Sequence, residues 1–73
     1  LDRGMADAHI ELADINFQRQ DYAAAKQHLD RYQALGQVTP RSLLLGIRLE
    51  RVFGNKDKEA SYLLMLKNRY PYS

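Results

Sequence analysis

Residues 5–32 read MADAHIELADINFQRQDYAAAKQHLDRY, and the fold turns on how this stretch divides at Gln20-Asp21. Before the break, Ala8, Leu12 and Ile15 recur at intervals of three and four, and so do Ile10, Ala13 and Phe17. That is the spacing of residues stacked on one side of a helix. Asp7, Glu11, Asp14 and Gln18 fill a separate polar sector. After the break, Tyr22, Ala25, Leu29 and Tyr32 make a single stripe, while Lys26, Gln27, Asp30, Arg31 and Gln33 point elsewhere. Asp21 is suited to cap the second segment, because its carboxylate can accept from the free N–H groups of a first turn. The stretch therefore predicts a helix from Met5 to Arg19 and a second from Asp21 to near Leu35, with Gly36 in the left-handed position that ends it.

Outward from this pair the same grammar continues. Thr39-Pro40 is a helix start, since Thr caps and Pro fits the first helical position without losing a needed N–H. Gly54 stops that third helix. Asn55 or Asp57 caps a fourth, which ends by about Tyr70 because Pro71 cannot continue it. No alternating run flanked by turn dipeptides is present, so no sheet is expected.

The four helices differ in how much of their surface is apolar. The apolar arc of the first covers about 220°, against the ~100° of a helix lying on one core, so it needs neighbours on at least two sides. The third is apolar almost all round through Leu43, Leu44, Leu45, Ile47, Leu49, Val52 and Phe53. The second has one stripe, and the fourth has one of Tyr62, Leu63, Leu66 and Tyr70, with Ser61 and Asn68 opposite. The expected order is inner, outer, inner, outer.

An alternation of that kind calls for a search for repeats. Leu12-Ala13 precedes Ala25 in the first half, and Leu45-Gly46 precedes Ala60 in the second. Small residues at Ala13 and Gly46 suit close approach of two helices, with Ala25 and Ala60 on the partner at the same crossing. The second spacing is two residues longer, which predicts a longer turn. Leu12-Ala13, Gln20-Asp21-Tyr22, Ala25 and Leu29 together resemble the tetratricopeptide repeat, a helix–turn–helix unit of about 34 residues. His9 stands where that repeat usually carries Trp, Asn16 where it often has Tyr, and Gln37 where a terminal Pro is common. The expected fold is all-α, with tetratricopeptide-like repeats, four antiparallel helices and the course of a right-handed solenoid fragment. The first unit spans residues 4–37 and the second, degenerate one residues 38–71.

The composition agrees with a small soluble domain and removes several classes of function. The chain has 73 residues, 45% hydrophobic and 27% charged, and no cysteine, which excludes disulfides, thiol nucleophiles and thiolate metal sites. A chain of this size buries only about 60% of its unfolded surface, leaving little room for a catalytic pocket. Apolar runs are too short for a membrane-spanning helix. No signal peptide is visible and residue 1 is Leu, as expected of a trimmed part of something longer. The net charge of +2 does not point to nucleic acid, and the second helix lacks the basic bias of a recognition helix. Residues 1–37 carry four basic groups against six acidic ones, and residues 38–73 seven against three.

A closer resemblance lies in the second half. Ser42-Leu-Leu-Leu-Gly-Ile-Arg-Leu-Glu50, Phe53-Gly54-Asn55, Glu59-Ala-Ser-Tyr-Leu63 and Leu66-Lys-Asn-Arg-Tyr-Pro71 resemble the C-terminal end of the type IV pilus biogenesis/stability lipoprotein family (PilF/PilW, the pilotin-type repeat proteins). Asp21-Tyr22-Ala and His28-Leu-Asp-Arg-Tyr32 are similar to its last full repeat. The resemblance implies an outer-membrane lipoprotein facing the periplasm and built of such repeats. It would act without enzymatic chemistry as a protein-binding scaffold, supporting assembly of the secretin pore or pilus stability. Its partners would be the secretin or other pilus assembly components. The lipid anchor of that family would lie outside these residues.

No constellation of residues carries catalysis, and no cofactor or metal is expected. His9 and His28 are nineteen positions apart on different helices and read first as packed or surface side chains. Asp7, Glu11 and Asp14 read as a solvated acidic face, because acid–base work needs a desolvated carboxylate. Arg48 and Arg51 sit on an inner helix and need either an open groove or a carboxylate partner, Glu50 or one from a neighbouring repeat. The inner helices of such repeats line a concave surface that holds partner segments. Its candidate lining is Asp7, Ile10, Asp14 and Phe17 in the first unit, and Leu43, Ile47, Glu50 and Arg51 in the second. The stripe of Ala8, Leu12 and Ile15 lacks an outer helix before it. Upstream repeats should cover it in the full protein; in this chain alone a second copy, forming a homo-oligomer, should cover it, or the chain should be unstable.

Overall fold

The computed structural model describes residues 3–71, which form four helices: α1 (Arg3–Gln18), α2 (Tyr22–Ala34), α3 (Pro40–Phe53) and α4 (Lys56–Arg69). They fall into two compact units, 1–37 with α1 paired to α2, and 38–73 with α3 paired to α4. Tyr72 lies outside the described residues.

In the first unit, α1 ends without glycine. Gln20 takes a left-handed φ of 64°, and the Asp21 N–H donates 2.8 Å back to the Asn16 carbonyl. This closes the helix end in the six-to-one pattern that glycine usually permits. Asp21 then caps α2, its side chain accepting from the Ala24 N–H at 3.4 Å. Gly36, at φ 79°, follows the end of α2. Ala6, Ile10 and Ala13 of α1 and Ala25, Leu29 and Tyr32 of α2 are buried. The apolar face expected on α2 is thus its packed face. Only one of the two stripes on α1 is sealed: Ala8, Leu12 and Ile15 are exposed, Leu12 at 42% and Ile15 at 44%.

In the second unit, α3 begins with a reciprocal cap. The Ser42 N–H donates to Thr39 Oγ1 at 3.2 Å, and the Thr39 N–H donates to Ser42 Oγ at 3.0 Å. Ser42 Oγ donates in turn to the Thr39 carbonyl at 2.9 Å, and Pro40 occupies the first turn. Gly54, at φ 75°, ends the helix in the left-handed conformation. Seven residues of α3 are buried, Ser42, Leu43, Leu45, Gly46, Ile47, Leu49 and Glu50, whereas no residue of α4 is. Glu59, Tyr62 and Leu66 form the half-buried stripe of α4, spaced three and four residues apart, and half-buried Tyr70 caps its end on the same spacing. The Tyr70 hydroxyl donates 3.1 Å to the Val38 carbonyl and ties the end of α4 to the start of the unit.

Three expectations about this unit need correction. Leu63, placed on the packed stripe of α4 by its sequence, is 43% exposed, whereas Glu59 is half-buried: the packed face runs through Glu59, Tyr62 and Leu66. Ala60 is exposed rather than at the helix crossing. Tyr62 takes that place: a Cβ on Gly46 would stand 2.7 Å from its ring, so Gly46 is where the two helices meet most closely. The turn is also not longer. Residues 54–55 join α3 to α4, against residues 19–21 between α1 and α2. The extra spacing arose from matching Ala60 with Ala25, and the two crossings do not use equivalent positions.

Candidate functional site

Each unit presents its own set of contact residues. In the first, Asp7 is exposed on α1, and Asp14, about two turns further, is half-buried and already engaged. Phe17 is half-buried and meets the Tyr22 ring edge-on, at 5.3 Å between centroids and 69° between planes. That geometry brings the rim of the first turn of α2 against the last turn of α1. Ile10 is sealed at 3% exposure and serves the packing of the unit. Beside the acidic sector runs the bare stripe of Met5, Ala8, Leu12 and Ile15.

In the second unit Leu43, Ile47 and Glu50 are enclosed, all below a tenth exposed. A carboxylate so enclosed requires hydrogen-bond donors. Asn55 supplies one, its Nδ2 donating 2.9 Å to Glu50 Oε1, while the Asn55 backbone N–H donates to the Glu50 carbonyl. Asn55 therefore stands at the cap position of α4 but spends its side chain on α3, and makes no side-chain cap bond. Arg51 is exposed and pairs with Glu59, at 3.0 Å from Nε and 2.9 Å from a terminal guanidinium nitrogen to Oε2. This partner lies on α4 of the same unit.

The open face of α3 holds residues that the sequence reading passed over. Arg41, Leu44, Arg48 and Arg51 are all exposed and follow one another at intervals of three, four and three. Arg41 and the outward phase of Leu44 are hard to see in the sequence because the whole helix reads as apolar. The signal available was the one phase at which arginine recurs. His9 and His28, nineteen positions apart in sequence, come together: their Nδ1 atoms lie 3.3 Å from one another across α1 and α2.

Among the described residues no cluster of three His, Cys, Asp or Glu side chains could hold a metal ion, and no helix is long and apolar enough to cross a membrane. The described hollows are shallow and open, at the α3–α4 turn, lined by Gly54 to Lys58, and along Lys56, Glu59, Ala60 and Leu63.

No protein-family profile matches the chain. It is 42% identical over all 73 residues to the type IV pilus assembly protein PilF of Pseudomonas aeruginosa, of which it spans 29%. A solved structure from a functional characterization of Pseudomonas aeruginosa PilF superposes with a TM-score of 0.86 at 43% identity, covering 93% of this chain and 31% of that one. The chain thus spans under a third of the relative it matches. Sequence and fold agree over that span: this is a PilF-like, all-α segment of tetratricopeptide-type helical repeats.

Proposed function

We propose that the chain is a non-enzymatic, protein-binding part of a type IV pilus assembly protein. The observation that carries this reading is the 42% identity to PilF along the entire chain, with the same fold. The surfaces suit the role. The first unit offers Asp7, Asp14 and Phe17 beside an acidic sector, and the second offers Arg41, Leu44, Arg48 and Arg51. Apolar anchors flanked by charges are what extended or helical partner segments use. Ile10, Leu43, Ile47 and Glu50 hold these faces in place from beneath.

The partner we propose is the secretin, or another component of the pilus machinery, met at the periplasmic face of the outer membrane. A lipid anchor would lie elsewhere in the longer protein. Residues 4–37 and 38–71 act as two consecutive repeats. A preceding repeat covers Ala8, Leu12 and Ile15 in that protein, and a second copy covers them when the chain stands alone. A strictly monomeric chain in light scattering would remove this last element.

The test is made in the full-length protein. Deleting residues 1–73 should abolish co-purification of the secretin from outer-membrane extract and reduce assembled secretin multimers. Undiminished multimers and unimpaired pili in the deletion strain would overturn the assignment. Asp7→Lys combined with Arg48→Glu should weaken capture without loss of helical content, which separates a contact role from a folding role.

A further inference from the structure

The least expected juxtaposition in the molecule is the histidine pair of the first unit. His9 on α1 and His28 on α2 are both half-buried, their ring centroids 5.5 Å apart, the planes inclined at 33°, and the two Nδ1 atoms 3.3 Å from each other. Two ring nitrogens at that distance share one proton: one donates and the other accepts. Nothing in a helix hairpin requires this. A leucine at either position would pack a helix seam without the cost of desolvating an imidazole.

The separation has a second meaning. Two bonds of about 2.0–2.1 Å from imidazole nitrogens to a zinc ion, held near the tetrahedral angle, put the nitrogens roughly 3.3–3.4 Å apart. Nδ1 of His9 and Nδ1 of His28 already stand at that spacing. Small turns of the rings about their Cβ–Cγ bonds, a soft torsion in histidine, re-aim the two lone pairs toward a shared point. The geometry points to a two-histidine site for a divalent transition-metal ion of the zinc, nickel or copper class, which imidazole ligands favour. The proton balance is simple. The donor ring moves its proton from Nδ1 to Nε2, both Nδ1 lone pairs face the ion, and no proton is lost to solvent. With no third His, Cys, Asp or Glu in reach among the described residues, water completes the shell, and the ion can exchange. Its effect is mechanical: it pins α1 to α2 near the middle of the hairpin.

The experiment is a titration of the whole chain with ZnCl2, with MgCl2 as the oxygen-seeking control. The ring resonances of His9 and His28 should shift together in NMR, calorimetry should count one zinc per chain, and the midpoint of thermal unfolding should rise by about 5 °C or more at saturation. His9→Gln and His28→Gln should each abolish the calorimetric signal and the thermal rise while keeping the helical circular dichroism. A thermal rise that survives in either variant overturns the site, as does magnesium matching zinc. Should a variant lose its helical signal, the unaltered chain decides: movement of only one ring, or of neither at millimolar zinc, sinks the proposal.

Discussion

The two units solve one problem, the packing of a helix against its successor, with different materials. In the first, alanines at 13 and 25 are fully buried and both helices contribute to the core. In the second, Gly46 accepts the Tyr62 ring, and the buried residues belong to α3 alone. A small residue on each side lets two backbones approach evenly. A glycine opposite a tyrosine achieves the approach on one side only, with the Tyr62 ring set against α3 at Gly46. The second unit should therefore depend on α3 far more than on α4, with the Gly46–Tyr62 crossing its most sensitive point.

The largest expected effect tests that asymmetry. Leu29 and Leu49 are both sealed, at 1% and 0% exposure, so replacement by alanine removes similar contacts and leaves a cavity. Each should cost about 2–5 kcal/mol. If the units unfold separately, two transitions in urea, monitored by circular dichroism, should assign Leu29→Ala to one and Leu49→Ala to the other. A single transition shifted equally by both would show that the units are coupled. Next in size is Gly46→Val. Added atoms within 3 Å of the Tyr62 ring must displace it, at about 1–3 kcal/mol. The double variant Gly46→Val with Tyr62→Ala should recover part of the loss; no recovery would mean that the ring is not what Gly46 accommodates. A smaller effect separates the helix starts. Thr39→Ala removes a reciprocal cap and should cost about 0.5–2 kcal/mol, whereas Asp21→Ala removes a longer bond of 3.4 Å and should cost less. The exposed Arg51–Glu59 pair lies lower still, below about 1 kcal/mol and lost in high salt.

Much of this architecture is legible in the sequence, for identifiable reasons. Helix ends marked by Asp21, Thr39-Pro40, Gly36 and Gly54 are local events, decided within a turn of backbone. The stripe of Tyr22, Ala25, Leu29 and Tyr32 is also legible, since that helix has one apolar face and hence one possible orientation. What fails is phase. On α3, with apolar residues all round, nothing distinguishes the buried Leu43 and Ile47 from the exposed Leu44, except that arginines recur in register with Leu44. On α4, Leu63 and Ala60 are as apolar as residues that do pack, and only the bulk of Tyr62 opposite Gly46 settles the rotation. The His9–His28 meeting was illegible for another reason: nineteen residues of separation become 3.3 Å only once two helices are paired in a definite register.

The smallest prediction sharpens the comparison at the turns. Both hairpins need a left-handed residue after their first helix, and they fill it differently: Gln20 at φ 64°, Gly54 at φ 75°. For a residue with a Cβ this conformation costs about 1–2 kcal/mol. Glycine relieves that cost but adds freedom to the unfolded chain, worth about 0.4–1 kcal/mol. Gln20→Gly should therefore leave the first unit unchanged or stabilise it by up to about 1 kcal/mol. Gly54→Ala should destabilise the second by a similar amount; a Cβ there meets nothing within 4 Å, so the loss reports backbone conformation rather than crowding. Opposite signs in the two variants, read from urea midpoints, would establish that the turns share one backbone requirement. A clear loss in Gln20→Gly would instead mean that the Gln20 side chain makes a contact the turn depends on. The first unit would then owe its closure to a side chain where the second owes it to the absence of one.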